Sequence, residues 1–312
     1  INASCPKWIS FLEKNLEGDQ ERIALLQEWF GYCLTYDTGF QKFLVLHGEG
    51  ANGKSVICAA LIALLGIANI STVPLELFGE RFQLATTLGK LANITADVGE
   101  IDRAAEGQIK SFTSGDTMHF DRKNKDAFEA RPTARLVIAT NTLPRFNDKS
   151  SGIWRRILLM PLNVTISEDE RIPNMDKPEW WKAQGELPGI LNWALVGRHR
   201  LYQQNKFTHS TTGKVALEEY KDDTNPVRRF FNDEITIEDG QWTQTEDIYK
   251  AYTKWCKRSN CHPLNDRGFG KELTRHIARC TMWNHCERSQ RPVGSKRRWG
   301  YTGITVSQEL LE

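Results

Sequence analysis

At 312 residues, 40% of them hydrophobic, the chain exceeds what one compact core accommodates and predicts two domains, or three, of an ordinary globular protein. A charged fraction of 26% with a net charge of only +2 excludes a wholly basic nucleic-acid coat, so any polyanion site has to come from local clustering. The longest apolar run, Val56 to Ala68, is interrupted by Gly66 and falls short of the roughly 20 residues of a membrane span, so no membrane partner is expected.

The opening stretch WISFLEKNLEGDQERIALLQEWFGYCL places apolar residues at three-and-four spacing and predicts a small helical bundle over residues 1–38. Its two readings are an oligomerisation collar and simple packing. Next, in residues 39–222, the short runs FLVL, STVPL, LANIT, RLVIAT and RILLMPL alternate with helical patterns, which predicts an α/β core with a parallel sheet. A helical segment, ELPGILNWALVGRHRLYQ, follows, and the polar connector Asp222 to Pro226 reads as a hinge. Residues 223–312 predict a helix, a second helix and a β-hairpin in KRRWGYTGITV. From Gln241 to Gln308 the chain carries 13 Lys and Arg against 5 Asp and Glu, so this end is where nucleic acid is expected.

Seven cysteines without framework spacing read as free thiols of a reducing cytoplasm. Cys256, Cys261, His262, Cys280 and Cys286 could be drawn together as a zinc site, but no CxxC pair supports it. The start lacks a charged n-region followed by an apolar h-region, so secretion is not expected. Because the first residue is Ile1 rather than Met, the sequence is expected to be a piece of a longer protein.

The segment GEGANGKS, Gly48 to Ser55, satisfies the pattern GxxxxGK[ST], which arises by chance in roughly 1% of chains of this length. Its context is what the chemistry needs: the strand-like FLVLH before it and the helical SVICAALIALL after it. Backbone N–H groups of Gly48, Glu49, Gly50, Ala51, Asn52, Gly53, Lys54, Ser55 and Val56 would form a nest for phosphate, with Gly50 and Gly53 permitting the tight curl. Lys54 would reach the β/γ oxygens of ATP, and the Ser55 hydroxyl would ligate Mg²⁺.

A carboxylate at a neighbouring strand end is expected to complete the metal's shell and polarise water. LANITAD offers Asp97, and Glu100 follows as a second acid; an acid in such a place also serves as a helix cap. Asn141 ends the apolar run RLVIAT, placed either to sense a γ-phosphate or to start a turn before Pro144. Arg155 and Arg156 enter the apolar run ILLMPL. Alternation points them to opposite faces, so one of them could serve a neighbouring subunit as an arginine finger.

These residues resemble the superfamily III helicases of the AAA+ class, in particular the phage, plasmid and poxvirus primase-helicases. The resemblance runs through LQEWFGYCL, HGEGANGKS, LGKLANITAD, IKSFTSGDTMHFDRKNKDAFEARPTARLVIATNTLP, the WRRI pair and ELPGILNWALVG, most of residues 20 to 200. It implies an AAA+ P-loop ATPase core with a helical collar, assembled as a ring, usually a hexamer. Such a ring threads single-stranded DNA at a fork, with 3′ to 5′ polarity expected. The implied setting is an upstream primase or polymerase domain and the cytoplasm of a bacterial host of a phage or mobile element.

On the family's pattern Lys54 and Ser55 are the P-loop lysine and Mg²⁺ ligand, Asp97 the metal-linked acid, and Asn141 the sensor. Arg156 is the first choice for the trans finger and Arg155 the second, while Lys110 matches a further trans cation. Relatives often carry two adjacent acids at the strand end, whereas here Ala96 precedes Asp97. Glu100 or a group from another subunit could then be the base. DTMHFDRKNKDAF resembles the family's DNA-gripping hairpin, with Arg122, Lys123 and Lys125 around Asn124 at its tip and His119 and Phe120 toward sugar or base.

Residues from Glu246 onward resemble a winged-helix domain. A helix from about Asp266 to Ala278 would carry Arg267, Lys271 and Arg275, and a wing would carry Lys296, Arg297, Arg298 and Trp299. Such a wing serves DNA or protein contact. The function these readings favour is an ATP-driven DNA helicase; the alternative is an ATP-switched origin-binding or scaffold module without processive unwinding.

Overall fold

The computed structural model of the chain describes residues 3–96, 98–146, 151–279 and 286–311. Two compact units divide the chain, Ile1–Leu217 and Glu218–Glu312. The segment 1–38, set apart by its sequence, therefore folds with the sheet rather than as a body of its own.

The first unit opens with α1 (Pro6–Asn15) and α2 (Gln20–Cys33), then β1 (Phe43–His47), α3 (Lys54–Leu65), β2 (Ile70–Ser71) and β3 (Ala92–Ala96). After α4 (Arg103–Ser114) come the hairpin strands β4 (Met118–Arg122) and β5 (Lys125–Ala130), then β6 (Arg135–Thr140), the short α5 (Ser151–Trp154) and β7 (Ile157–Pro161). Helices α6 (Pro178–Ala183) and α7 (Leu187–Gln204) complete it, and α8 (Thr211–Thr224) leads into the second unit. Five strands form one parallel sheet in the order β2-β3-β6-β1-β7. Four of them are the apolar runs FLVL, LANIT, RLVIAT and RILLMPL read from the sequence, nearly continuous because strands covered on both faces have no polar side to alternate with; the run STVPL is not a strand, since β2 is the two residues Ile70–Ser71 that overlap it only at Ser71.

Burial explains why α1 and α2 belong here. Trp8, Leu12, Trp29 and Phe30 share a core with Leu44 and Leu46 of β1, Val137 of β6 and Trp181 of α6. Trp8 packs edge-on against Trp181 and Trp193 at ring-centroid distances of 5.4 and 5.5 Å. Two glycines let α2 and α7 cross closely: a Cβ on Gly31 would lie 2.4 Å from the Ala194 oxygen, and one on Gly197 would lie 2.3 Å from the Gln27 oxygen. Beside this crossing the fully buried Glu28 accepts from Arg200 Nε at 2.7 Å, Gln204 Nε2 at 2.9 Å and the Thr208 backbone at 2.7 Å. Because Gly197 faces backbone, which cannot swing aside, Gly197→Ala is expected to lower unfolding free energy by about 1–3 kcal/mol. Urea denaturation checks this, and an unchanged midpoint would mean the helices part at little cost.

The second unit holds α9 (Pro226–Glu234), β8 (Ile235–Gln244), α10 (Thr245–Arg258), α11 (Asp266–Arg279), β9 (Arg288–Val293), β10 (Lys296–Val306) and α12 (Gln308–Leu311). Its core gathers Phe230, Phe231, Tyr252, Trp255, Phe269 and Leu273. The Asp222–Pro226 connector is not an extended hinge. Pro226 stops α8 because it lacks an N–H, Asn225 caps α9 by accepting from Val227 N at 3.1 Å, and Arg228 pairs with Glu218 and Asp222 at 3.0 and 2.9 Å.

KRRWGYTGITV is likewise a single strand, β10, rather than a hairpin. It pairs antiparallel with β9 on one side and β8 on the other, and Gly294, at φ +60°, makes the turn from β9. The expectation missed β8 because Glu238, Asp239 and Gly240 interrupt its apolar pattern. Among the described residues no helix is long and apolar enough to cross a membrane, and no group of three or more His, Cys, Asp or Glu could hold a metal ion. Cys280 of the cysteine cluster lies outside the described residues.

Candidate nucleotide site and nucleic-acid interfaces

The parallel sheet brings its distant segments together at the carboxyl ends of its strands, the usual ligand edge of such folds. His47 of β1 lies opposite Thr140 of β6, and Ala139 of β6 opposite Ala96 of β3. The loop after β1 therefore begins beside Asn141, with the end of β3 one strand further on, and Gly48 N donates to the Thr140 oxygen at 3.4 Å. Burial holds His47 below the usual imidazole range, opposed by a hydrogen bond with the Asn141 backbone and reinforced by the Lys54 charge. It is thus neutral near pH 7 and adds no positive charge there.

The loop wraps the N-terminus of α3. Gly53 precedes the helix at φ +81°, where an L side chain is strained. A Cβ on Gly48 would lie 1.9 Å from Asn52 Nδ2 and 2.4 Å from the Leu162 oxygen. Gly50, by contrast, has nothing within 4 Å of a built Cβ, while Ala51 adopts φ +49°. The steric demand therefore falls on the pattern's own glycines, Gly48 and Gly53, and not on Gly50, which had been expected to permit the curl. Asn52 is buried, with Nδ2 donating to the Leu162 oxygen at 3.2 Å. Lys54 Nζ donates to the Gly48 oxygen at 2.6 Å and to Asn52 Oδ1 at 2.9 Å, so the ammonium lies folded over the loop.

The loop opens into a cavity of about 920 Å³ lined by Gly50 through Val56, Ala96, Ala139 and Asn141. Ser55, exposed on the first turn of α3, reaches the same space. Asp97 lies outside the described residues. Glu100 is exposed and does not line the cavity. The opposite wall comes from two segments that motif reading did not connect with the site, α1 and residues 166–176, which contribute Phe11, Lys14, Asn15, Ile172 and Met175. The sequence signal of α1 was amphipathicity, which any packed helix shows, and residues 166–176 carried no motif.

The two arginines separate sharply. Arg156, 7% exposed, donates to Ser114 Oγ at 2.5 Å and to the Gly152 oxygen. Burial and then the Arg155 charge push its guanidinium below the usual range, with Asp116 opposing. A guanidinium held this way would have to break those bonds to reach a neighbour. Arg155 is exposed, with a long contact of 3.5 Å to Gln41 Oε1. Lys110 is paired on its own helix with Glu106 at 2.9 Å.

The β4–β5 hairpin turns at Asn124, φ +59°, and its tip exposes Lys123 and Lys125. The Arg122 guanidinium lies 4.3 Å from the Phe128 ring centroid. His119 is exposed and 3.3 Å from Glu129. Phe120 is fully buried, so it supports the hairpin and is not available to a base. In the second unit Arg267 and Lys271 are exposed on α11, and Arg275 pairs with Glu272 at 2.5 Å. Lys296, Arg297 and Arg298 are exposed on β10, with Arg298 3.7 Å from Glu246. Trp299, 47% exposed, carries the Arg288 guanidinium 4.6 Å from its ring centroid. Arg288 comes from β9, a strand the sequence reading did not draw.

Residues 46–156 match a family of unknown function, DUF5906, and residues 222–291 match the family described as poxvirus D5 protein-like. The chain is 23% identical over 266 residues to the Acanthamoeba polyphaga mimivirus protein named "Putative helicase L207/L206", covering 78% of this chain and 28% of that one. It is 22% identical over 286 residues to "Putative helicase 022R" of Frog virus 3 (isolate Goorha), covering 85% and 28%. The chain thus spans little more than a quarter of the length of these relatives. Among solved structures, the A form of the apo NrS-1 C-terminal region superposes with a TM-score of 0.56 at 14% identity, covering 98% of this chain and 76% of that one. A second apo structure of that region gives 0.51 at 13% identity, covering 95% and 74%. At such identities the structural likeness is one of fold, a mixed α/β architecture with a parallel sheet, and the sequence similarities lie with D5-like proteins and named viral helicases.

Proposed function

We propose that this chain is the ATP-hydrolysing helicase module of a D5-like replication protein. The observation that carries the proposal is the phosphate loop at the carboxyl end of β1, opening into a cavity shared with the ends of β3 and β6. The resemblance to viral helicases over most of the chain supports the same reading.

In this proposal the first unit is an AAA+ core of the superfamily III kind and the second a winged-helix domain. Protomers form a ring, a hexamer by family expectation, and single-stranded DNA passes through it 3′ to 5′. The loop's N–H groups and the N-terminus of α3 hold the β-phosphate. Lys54 exchanges its internal acceptors for phosphate oxygens, the Ser55 hydroxyl with Asp97 holds Mg²⁺, and Asn141 orients the attacking water. The metal supplies charge neutralisation on the phosphates. Arg155 of one protomer enters the next protomer's site, so cleavage depends on assembly. Charges at the β4–β5 tip grip the DNA backbone.

The test is a replacement at that tip. Arg122, Lys123 and Lys125 changed together to Ala are expected to leave basal ATP hydrolysis within about twofold while abolishing its stimulation by single-stranded DNA and cutting unwinding at least tenfold. A forked duplex with a fluorescent strand reads the unwinding. Undiminished unwinding would place the grip elsewhere, and hydrolysis indifferent to DNA in the unaltered protein would favour the nucleotide-switched scaffold.

A further inference from the structure

Beyond the phosphate loop the cavity is also lined by α1 and by residues 166–176, whose side chains define the part termed a compartment. Phe11, Ile172 and Met175 are the apolar part of a lining that also carries Lys7, Arg171 and Asp176, and the ion pair Lys14–Glu170, 2.7 Å long, ties the two walls together at an exposed rim. The compartment is fastened to the loop itself. Ile166 N donates to the Ala51 oxygen at 2.8 Å, and a Cβ on Gly53 would meet Asn15 Nδ2 and Phe11 Cζ, each at 2.7 Å.

Asn15 is the unusual member. It is 1% exposed, and its Nδ2 donates to the Asn52 oxygen at 2.8 Å. That bond settles which end of the amide is oxygen. The remaining atom, Oδ1, is buried and has no hydrogen-bond partner among the described residues, and Asn15 is one of the residues that line the cavity. Buried acceptors are nearly always paired, and an unpaired one in a cavity-lining side chain is suited to a ligand donor.

We infer that α1 and residues 166–176 form the nucleoside compartment of the site, with Asn15 Oδ1 accepting a hydrogen bond from the nucleoside, either the exocyclic amine of adenine or the ribose 2′-hydroxyl. Apolar side chains beside a placed polar atom are the ordinary means of holding such a group. The inference rests on the nucleotide reading of the phosphate loop. It also gives residues 6–15 a part in ligand selection beyond packing or self-association.

Calorimetric titration with Mg²⁺ and ADP, IDP, dADP or pyrophosphate tests it without turnover. IDP lacks the amine and dADP lacks the 2′-hydroxyl, so the two separate the donors. The unaltered protein is expected to bind ADP more tightly than pyrophosphate, and to bind one of the two analogues about three- to tenfold more weakly than ADP. Asn15→Leu is expected to bring that analogue level with ADP. The ratio between nucleosides is unaffected by any loosening of the phosphate loop, which all of them share. Ile172→Ala, which breaks no bond to the loop, is expected to weaken ADP several-fold and leave pyrophosphate unchanged. ADP binding no more tightly than pyrophosphate, an unchanged analogue ratio in Asn15→Leu, or full ADP affinity in Ile172→Ala would overturn the inference. Failure of the unaltered protein to bind either ADP or pyrophosphate would instead remove the nucleotide reading beneath it.

Discussion

Lys54→Ala is expected to reduce ATP hydrolysis by on the order of 10²–10³ or more, since it removes a charged donor aimed at the phosphates in a partly dry site. The fold should survive. Lys54 is only partly buried and its acceptors include the Gly48 oxygen and Asn52 Oδ1; Asn52 keeps its bonds to Leu162 and Asn15 when the ammonium is gone. The check is a steady-state phosphate-release assay beside a thermal unfolding scan. Turnover at the unaltered rate with an unchanged scan would remove the P-loop assignment, and with it the proposed source of energy.

Arg155→Ala is expected to lose hydrolysis by on the order of 10³–10⁵, the range measured when an arginine finger is withdrawn, while ADP affinity stays the same. Mixed with Lys54→Ala protein it should recover part of its activity. At some seams an intact P-loop from one variant then meets an intact Arg155 from the other. Arg156→Ala predicts a different outcome, because its partners Ser114 and the Gly152 oxygen belong to the same protomer. Its loss should lower the unfolding midpoint, and mixing should not restore what is lost. Rescue of Arg156→Ala with full activity in Arg155→Ala would reverse the assignment; no rescue of either, with assembly verified by sedimentation, would argue against a finger in trans.

The two arginines show where linear reading stops. Strand alternation does not separate them, because both lie in the turn before β7 begins at Ile157. Which one is buried depends on Ser114, on α4, and on Gly152, on α5, and neither distance along the chain nor residue type announces those partners. Phe120 is a similar case: the hairpin was legible, but only packing against its surroundings decides that this ring is interior and the tip lysines are not.

Sequence alone determined the local features: the phosphate loop between an apolar strand and a helix, four of the five strands of the parallel sheet, and the basic character of the C-terminal part. Each depends on spacing and composition within about ten residues, where backbone periodicity and turn chemistry act. Tertiary structure alone decided that α1 walls the cavity, that Gly48 and not Gly50 is sterically required, that Arg155 is the exposed arginine, and that β10 is one strand between two others. These depend on contacts between segments far apart in the chain. A residue's own type does not specify what a parallel sheet with crossover helices will place against it.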